Sequence, residues 1–177
     1  PAPTPFVPSR ATIPDREVTE GVVPEKILDE EGLVLYHAED FEFLRPKTWS
    51  NFKLRFPAEN MAPRFKVLLD LYTSCVKESL NGVAYPAALA GLSYSFDSGY
   101  EGVYFSVSGY DETAPRLFER VLQHMQHVQI SQETFAALKD NMLRGLRSFD
   151  RQAAYQITSY NSNAVINAVE YPHATRL

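Results

Sequence analysis

The sequence has few of the residues and patterns from which an activity is usually recognised. It contains a single cysteine, Cys75, so no disulfide can form within the chain and the redox compartment stays open. Cys75 lies in an apolar helical pattern, which predicts a packed thiol rather than a reactive one. No apolar run approaches the roughly 18 residues that a membrane-spanning helix needs, so no membrane partner is expected.

The sequence also lacks a large excess of positive or negative charge. The 17 Lys and Arg against 22 Asp and Glu give a formal net charge of −5. This mildly acidic balance gives no electrostatic reason to expect nucleic acid as a partner. The chain opens with PAPTPFVPS, which has neither a basic start nor an apolar core, so no signal peptide is predicted. Because an initiator Met is also missing, we expect an excised piece of a longer protein.

Motifs that carry chemistry are absent as well. The phosphate-binding patterns G-x-G-x-x-G and G-x-x-x-x-G-K-[ST] do not occur, nor does the G-x-S-x-G elbow of serine hydrolases. His124 and His127 share a helix face at i, i+3, but no third ligand is evident, so a solvated face is favoured over a metal site. The sequence therefore predicts no catalytic, cofactor-binding or metal-binding residue in this chain.

The strongest positive pattern is Leu89–Tyr110, LAGLSYSFDSGYEGVYFSVSGY, which predicts a β-hairpin. Gly99 and Gly102 lie in its connector, where a chain reversal tolerates positive φ. We expect Phe105 to be buried and Ser106 to face solvent, because apolar and polar residues alternate along both arms. A hairpin with one apolar face needs helices against that face. The apolar positions are Leu92, Tyr94, Phe96, Val103, Phe105 and Val107.

Before the hairpin, residues 1–31 are predicted to form a proline-rich extended arm or linker. Phe6, Val7 and Ile13 are suited to anchor this arm against a neighbour, and a disordered linker is equally compatible with the composition. Alternation over Trp49–Phe56 predicts an amphipathic strand.

Helical spacing of apolar residues predicts the remaining elements. A helix over Phe65–Leu80, capped by Asn60, is expected to break at Asn81–Gly82, and a shorter helix over Val83–Ala90 to end at Gly91. Thr113 or Asp111, Ser131 and Gln152 are expected to open three later helices, and the last of these ends near Val169. Its core candidates are Tyr155, Ile157, Val165 and Ile166. This order predicts an α+β domain over residues 32–177, truncated at its C-terminal side, with an antiparallel or mixed sheet and helices mainly on one face.

The run from Leu80 to Leu122 resembles the pitrilysin and insulin-degrading-enzyme family of zinc metallopeptidases. The similarity includes A-x-x-A-G-L-x-Y at Ala87–Tyr94 and the V-x-G-Y type of ending at Val107–Tyr110. It extends upstream through the predicted strand to Thr4–Pro8 and downstream to about Tyr171, so nearly the whole chain is covered. Within that family the sequence is similar to the third of four repeated domains.

The resemblance implies that four copies of one fold form two bowl-like halves that enclose a peptide. In the catalytic copy, H-x-x-E-H on a helix supplies two zinc ligands and a general base. The corresponding helix here, Phe65–Leu80, contains no histidine, and His124–Val128 has the wrong spacing and no Glu. The resemblance therefore implies a noncatalytic domain, with zinc held elsewhere in the parent chain.

Three functions are compatible with the sequence: a noncatalytic chamber domain of a peptide-degrading zinc metalloendopeptidase, a non-proteolytic scaffold subunit of the same fold, or a free-standing ligand-binding α+β domain. In the first, the expected partners are the other domains of the parent chain and a peptide substrate. The export of many bacterial relatives favours a periplasmic location. Excision is expected to bare apolar side chains, which predicts weak homodimerisation of the fragment. These side chains are Phe6, Val7, Ile13, Tyr155 and Tyr160.

Overall fold

A computed structural model of the chain describes residues 5–13, 17, 21–167 and 170–176. The strands are β1 (Glu25–Glu30), β2 (Leu33–His37), β3 (Lys47–Arg55), β4 (Ser93–Ser98) and β5 (Gly102–Tyr110). The helices are α1 (Pro63–Leu89), α2 (Ala114–Gln126), α3 (Gln132–Arg147) and α4 (Ala154–Ile166). Short 3-10 helices cover Ala58–Asn60, Phe149–Arg151 and His173–Arg176. The predicted α+β class is confirmed.

The main sheet is antiparallel and has the strand order β3-β5-β4. β5 pairs with β3 from Tyr110 opposite Lys47 to Gly102 opposite Arg55. On its other side β5 pairs with β4, which places Phe105 opposite Phe96. The predicted hairpin and the predicted strand near Trp49–Phe56 are therefore both present, and they belong to one sheet.

The core lies between one face of this sheet and the helices α1 and α2. Phe105 is buried, and its ring stacks on Phe52 of β3 with centroids 4.6 Å apart. Because inward and outward side chains alternate along each strand, the sheet buries only the face that the helices cover. The buried residues of this core include Leu69, Val76, Leu80, Phe96, Val103, Val107, Leu117 and Val121.

Helix α1 differs from the prediction, because it is one helix of 27 residues without a break at Asn81–Gly82. Gly82 costs about 1 kcal/mol relative to alanine within a helix. Burial of Leu80 and Ala87 on either side of it outweighs that local preference. Asn60 does not cap this helix, since it ends a 3-10 turn and Ala62 holds the N-cap position. Gly91 follows the helix with φ +77°, as predicted for its end.

The later helices begin close to where they were predicted, but the last two bury little. Ser131 caps α3 by accepting a hydrogen bond from the Thr134 amide at 3.0 Å. In α4 the core assignment of Tyr155, Val165 and Ile166 was wrong, because these side chains are 74%, 88% and 78% exposed. The described residues of α3 and α4 include none that is fully buried. The spacing of apolar residues therefore predicted the two helices correctly but did not predict how little of their surface is buried. The other core candidate, Ile157, is half-buried, and the predicted end at Val169 lies outside the described residues.

The first 46 residues contain two different arrangements. Phe6 is buried at 4% exposure in the main core, whereas Val7 is exposed and the Ile13 amide donates to the Leu44 carbonyl. β1 and β2 then form a separate two-stranded antiparallel sheet. Strand β1 was not predicted, since the whole segment was expected to be an extended arm. The domain boundary at residue 31 stays a prediction.

Candidate functional site

Helix α1 is the element that the resemblance aligns with the metal-binding helix of the catalytic copy. In its second and third turns Leu69 and Thr73 are buried, and the Thr73 hydroxyl donates to the Leu69 carbonyl at 2.7 Å. Leu68 is exposed on the other side. This part of the helix therefore supplies packing surface, and the charged residues between positions 65 and 76 are Lys66 and Asp70.

These two residues begin a polar cluster formed by Lys66, Asp70, Ser98, Gly99 and Arg176. Lys66 is 6% exposed, and its Nζ donates to the Gly99 carbonyl at 2.5 Å. The Asp70 carboxylate accepts hydrogen bonds from the Ser98 hydroxyl and from the Arg176 guanidinium. Lys66 Nζ lies 3.9 Å from Asp70 Oδ1. The cluster thus joins helix α1 to the connector of the main hairpin and to the last 3-10 helix.

Burial lowers the pKa of Lys66, while the charges of Asp70 and Glu170 act in the opposite direction. A buried lysine with a lowered pKa is a common catalytic group. Here the ammonium donates to a backbone carbonyl, and Asp70 is shared between two cations and a hydroxyl. The charged groups therefore pair with one another or with a backbone carbonyl, and the arrangement supports a tether between three elements rather than a reaction centre.

Two depressions open on the surface of the main sheet. The larger, about 340 Å³, lies at the end of β3 beside the hairpin connector. Lys53 and Arg55 both bind Glu101 there, and the hydrogen bond from Lys53 lowers the pKa of the Glu101 carboxyl. The lining residues are Arg55, Phe56, Pro57, Ala58, Met61, Tyr100 and Glu101. This lining contains the Arg55–Glu101 ion pair and mainly apolar side chains, and it includes no serine, threonine, cysteine or histidine.

The smaller depression, about 180 Å³, lies on the face of the sheet away from the helices. Its two serines, Ser95 and Ser106, hydrogen-bond each other across the strands at 2.8 Å. Neighbouring Ser93 and Ser108 make the same contact at 2.7 Å. These hydroxyls are satisfied by each other and have no imidazole or carboxylate in contact to activate them.

The histidines and the cysteine do not assemble into a site. His124 Nδ1 lies 3.0 Å from the Ser79 hydroxyl, and His127 is exposed at the end of α2. Cys75 is buried as predicted, and burial raises the pKa of its thiol. Among the residues that the structure describes, no group of three or more His, Cys, Asp or Glu could hold a metal ion. The described helices also include none long and apolar enough to cross a membrane.

The sequence did not predict the polar cluster. Its only local signal is the i, i+4 spacing of Lys66 and Asp70, which is also common on solvated helix faces. The partners Ser98 and Arg176 are 28 and 106 residues away from Asp70, and no motif connects them.

The fold and its polar contacts together define an α+β domain in which buried charges hold elements together. A family model described as "Middle or third domain of peptidase_M16" matches residues 1–177. The chain therefore belongs to the family of middle, or third, domains of the M16 peptidases. The resemblance found in the sequence is confirmed.

Several relatives agree with this assignment. Insulin-degrading enzyme from Homo sapiens is 30% identical over 166 residues, which cover 94% of this chain and 16% of the relative. A putative zinc protease, mug138 from Schizosaccharomyces pombe, is 28% identical and matches 96% of this chain and 17% of its own length. The chain thus spans about one sixth of the length of these relatives.

A crystal structure of pitrilysin shows the same fold. It aligns with a TM-score of 0.71 at 22% sequence identity and covers 82% of this chain and 15% of the pitrilysin chain. At this identity the likeness concerns the fold alone.

Proposed function

We propose that this chain is the noncatalytic third domain of a zinc metalloendopeptidase, in which it forms part of the wall of a peptide-enclosing chamber. The observation that carries the proposal is the match of all 177 residues to the middle-domain family, combined with an α1 helix that contains no histidine. The names of the relatives, an insulin-degrading enzyme and a putative zinc protease, support a peptidase as the parent protein.

The sequence of the parent gene provides the first test. An H-x-x-E-H motif upstream of this segment is expected, because the catalytic zinc must be held outside residues 1–177. A parent without that motif would contradict the peptidase assignment and favour the scaffold alternative. The periplasmic location also stays a prediction, and the N-terminal segment of the parent sequence tests it.

Metal analysis provides the second test. After purification without chelators, the 177-residue chain is expected to contain no stoichiometric zinc, because a zinc site needs at least three protein ligands. The parent protein, treated identically, is expected to contain zinc and to cleave peptides. Stoichiometric zinc and retained peptidase activity in the 177-residue chain would refute the noncatalytic assignment.

Other domains of the parent chain are the partners expected for this segment. We also retain the proposal that the separate fragment associates weakly with itself, but its predicted surface changes. Phe6 is buried within the domain and the Tyr160 hydroxyl donates to the Tyr171 carbonyl at 2.7 Å, so excision does not bare these two groups. Tyr155 and Val165 on α4 are the better candidates. Light scattering over a concentration series tests this, and a strict monomer would contradict it.

A further inference from the structure

The sheet formed by β1 and β2, Glu25–His37, stands apart from the core and exposes an unusual amount of apolar surface. Ile27, Leu33, Val34 and Tyr36 are 57%, 53%, 52% and 60% exposed. Leu35 is also exposed, and only Leu28 among the residues of both strands is half-buried. An isolated two-stranded sheet is marginally stable in water, so this element needs a surface to cover it.

The described residues outside the hairpin do not provide that surface. The side-chain ion pairs of the hairpin join Lys26 to Asp29, and His37 to Glu39 two residues further along the chain. Its strands pair only with each other. The arm before it behaves differently, since Phe6 enters the core and Ser9 binds Glu112.

The register assigns the two faces of the hairpin different characters. Leu28 lies opposite Leu35, and Glu30 lies opposite Leu33, so the three leucines share one face because cross-strand partners point the same way. The other face combines Val34 and Tyr36 with the Lys26–Asp29 ion pair. Covering the leucine face buries the three leucines without removing the Lys26–Asp29 ion pair from water, so the leucine face is the one suited to docking.

The charge of the hairpin restricts what can cover it. Glu25, Asp29, Glu30 and Glu31 are acidic and Lys26 is basic, so the segment has a net charge of −3. A complementary surface would be apolar at its centre and basic at its edge. A second copy of the hairpin would bring the same negative charges together, which disfavours a two-fold contact here.

We propose that the leucine face of the β1–β2 hairpin docks on an apolar surface with a basic edge that belongs to another domain of the same parent polypeptide. This proposal rests on the proposed function, because the chain spans about one sixth of its relatives and belongs to a middle-domain family. A hairpin that brings its own hydrogen-bonded strands needs only side-chain burial to dock, so the contact does not require a free edge on the receiving domain.

Amide hydrogen exchange on the full-length parent protein tests the proposal. The amides of residues 25–37 that are hydrogen-bonded across the two strands are expected to be strongly protected, since docking holds the hairpin closed. Leu35→Ser is expected to lower this protection by at least about tenfold, because it removes apolar burial at the centre of the contact. Val34→Ser, on the opposite face of the same strand, is the matched control and is expected to change protection by less than about threefold. The amides of α1 and β5 report whether each variant remains folded.

Glu30→Lys tests the charge argument and is expected to lower protection more at low salt than at high salt, because salt screens the interaction between residue 30 and the basic edge and so reduces the effect of reversing its charge. Rapid exchange of residues 25–37 in the unaltered parent would overturn the proposal, since nothing would then cover the hairpin. Equal effects of Leu35→Ser and Val34→Ser would overturn the assigned face, and protection that rises with protein concentration would indicate a second copy instead. A protected hairpin in a parent without peptidase activity would refute the proposed function and leave the docking inference standing.

Discussion

The part of the chain that the structure describes contains two antiparallel hairpins that differ in what surrounds them. Phe96, Val103, Phe105 and Val107 of the β4–β5 hairpin are buried against α1 and α2. Along the strands of the β1–β2 hairpin, no residue is fully buried. The same hydrogen-bonded motif is thus part of the core in one place and a projecting element in the other.

The two hairpins also differ in their sequence patterns. β4 and β5 alternate between apolar and small polar residues, as expected for strands with one covered face. β2 has four consecutive apolar residues, Leu33–Tyr36, a pattern typical of strands covered on both faces. The pattern of β2 and its observed exposure therefore disagree, and the proposed docking of this hairpin accounts for the disagreement.

The largest effect is expected at the centre of the covered hairpin. Phe105→Ala should reduce the free energy of unfolding by about 3–5 kcal/mol, because the ring is buried and stacks on Phe52. Ser106→Ala, the next residue along β5 and on its outward face, should cost about 1 kcal/mol or less, because it removes the hydrogen bond to the Ser95 hydroxyl and no buried side chain. Urea unfolding of the 177-residue chain measures both values. Equal losses would show that the two faces of β5 are not distinguished by burial.

Glycines in the two hairpins allow a second comparison. Gly102 has φ +145°, and a Cβ there would lie 1.9 Å from the Leu54 carbonyl oxygen. Gly32 has φ +82° but open space around it. Gly102→Ala should therefore cost about 3 kcal/mol or more, because it combines backbone strain with a clash. Gly32→Ala should cost about 1 kcal/mol from strain alone.

The same unfolding measurement separates these glycines, and a cost at Gly32 equal to that at Gly102 would contradict the role assigned to close packing.

Sequence patterns explain why the covered hairpin was predictable and its surroundings less so. Alternation identified β3, β4 and β5 because one covered face imposes a period of two. Continuity of α1 was missed because burial of Leu80 and Ala87 overrides the local preference of Gly82, and that burial depends on the sheet beneath the helix.

The polar cluster is predicted to stabilise the connector of the covered hairpin. Asp70→Asn should cost about 2–3 kcal/mol, since it leaves Lys66 and Arg176 without their carboxylate partner. Asp97→Asn on β4 removes a solvent-exposed ion pair with Lys77 of α1 and should cost about 0–1 kcal/mol. Urea midpoints of the two variants measure the difference.

A cost at Asp97 that matched the cost at Asp70 would show that burial of the cluster adds nothing to its strength.

The polar cluster also shows how much of this site could be predicted from the sequence. Helical spacing places Lys66 beside Asp70, but Ser98 and Arg176 join them only after the chain has folded. The absence of histidine from α1, in contrast, is a property of the sequence, so the noncatalytic assignment was available without the structure.

The smallest effect concerns the arm that precedes the exposed hairpin. The Ser9 amide and hydroxyl both donate to Glu112 Oε2 at 2.8 Å, and these bonds lower the pKa of the Glu112 carboxyl. A lowered folded-state pKa stabilises the fold above the unfolded-state value near 4.5, and this contribution is lost as the pH falls through the folded-state value. The effect is small, because the carboxylate is solvent-exposed. Urea midpoints between pH 7 and pH 3 should therefore decline slightly more in the unaltered chain than in Glu112→Gln, and the two should converge at the acid end. Parallel profiles would show that these bonds do not hold the arm, and the contrast between an anchored arm and an exposed hairpin would then rest on the burial of Phe6 and on the contacts of Arg10 with Asp111 and of Ile13 with Leu44.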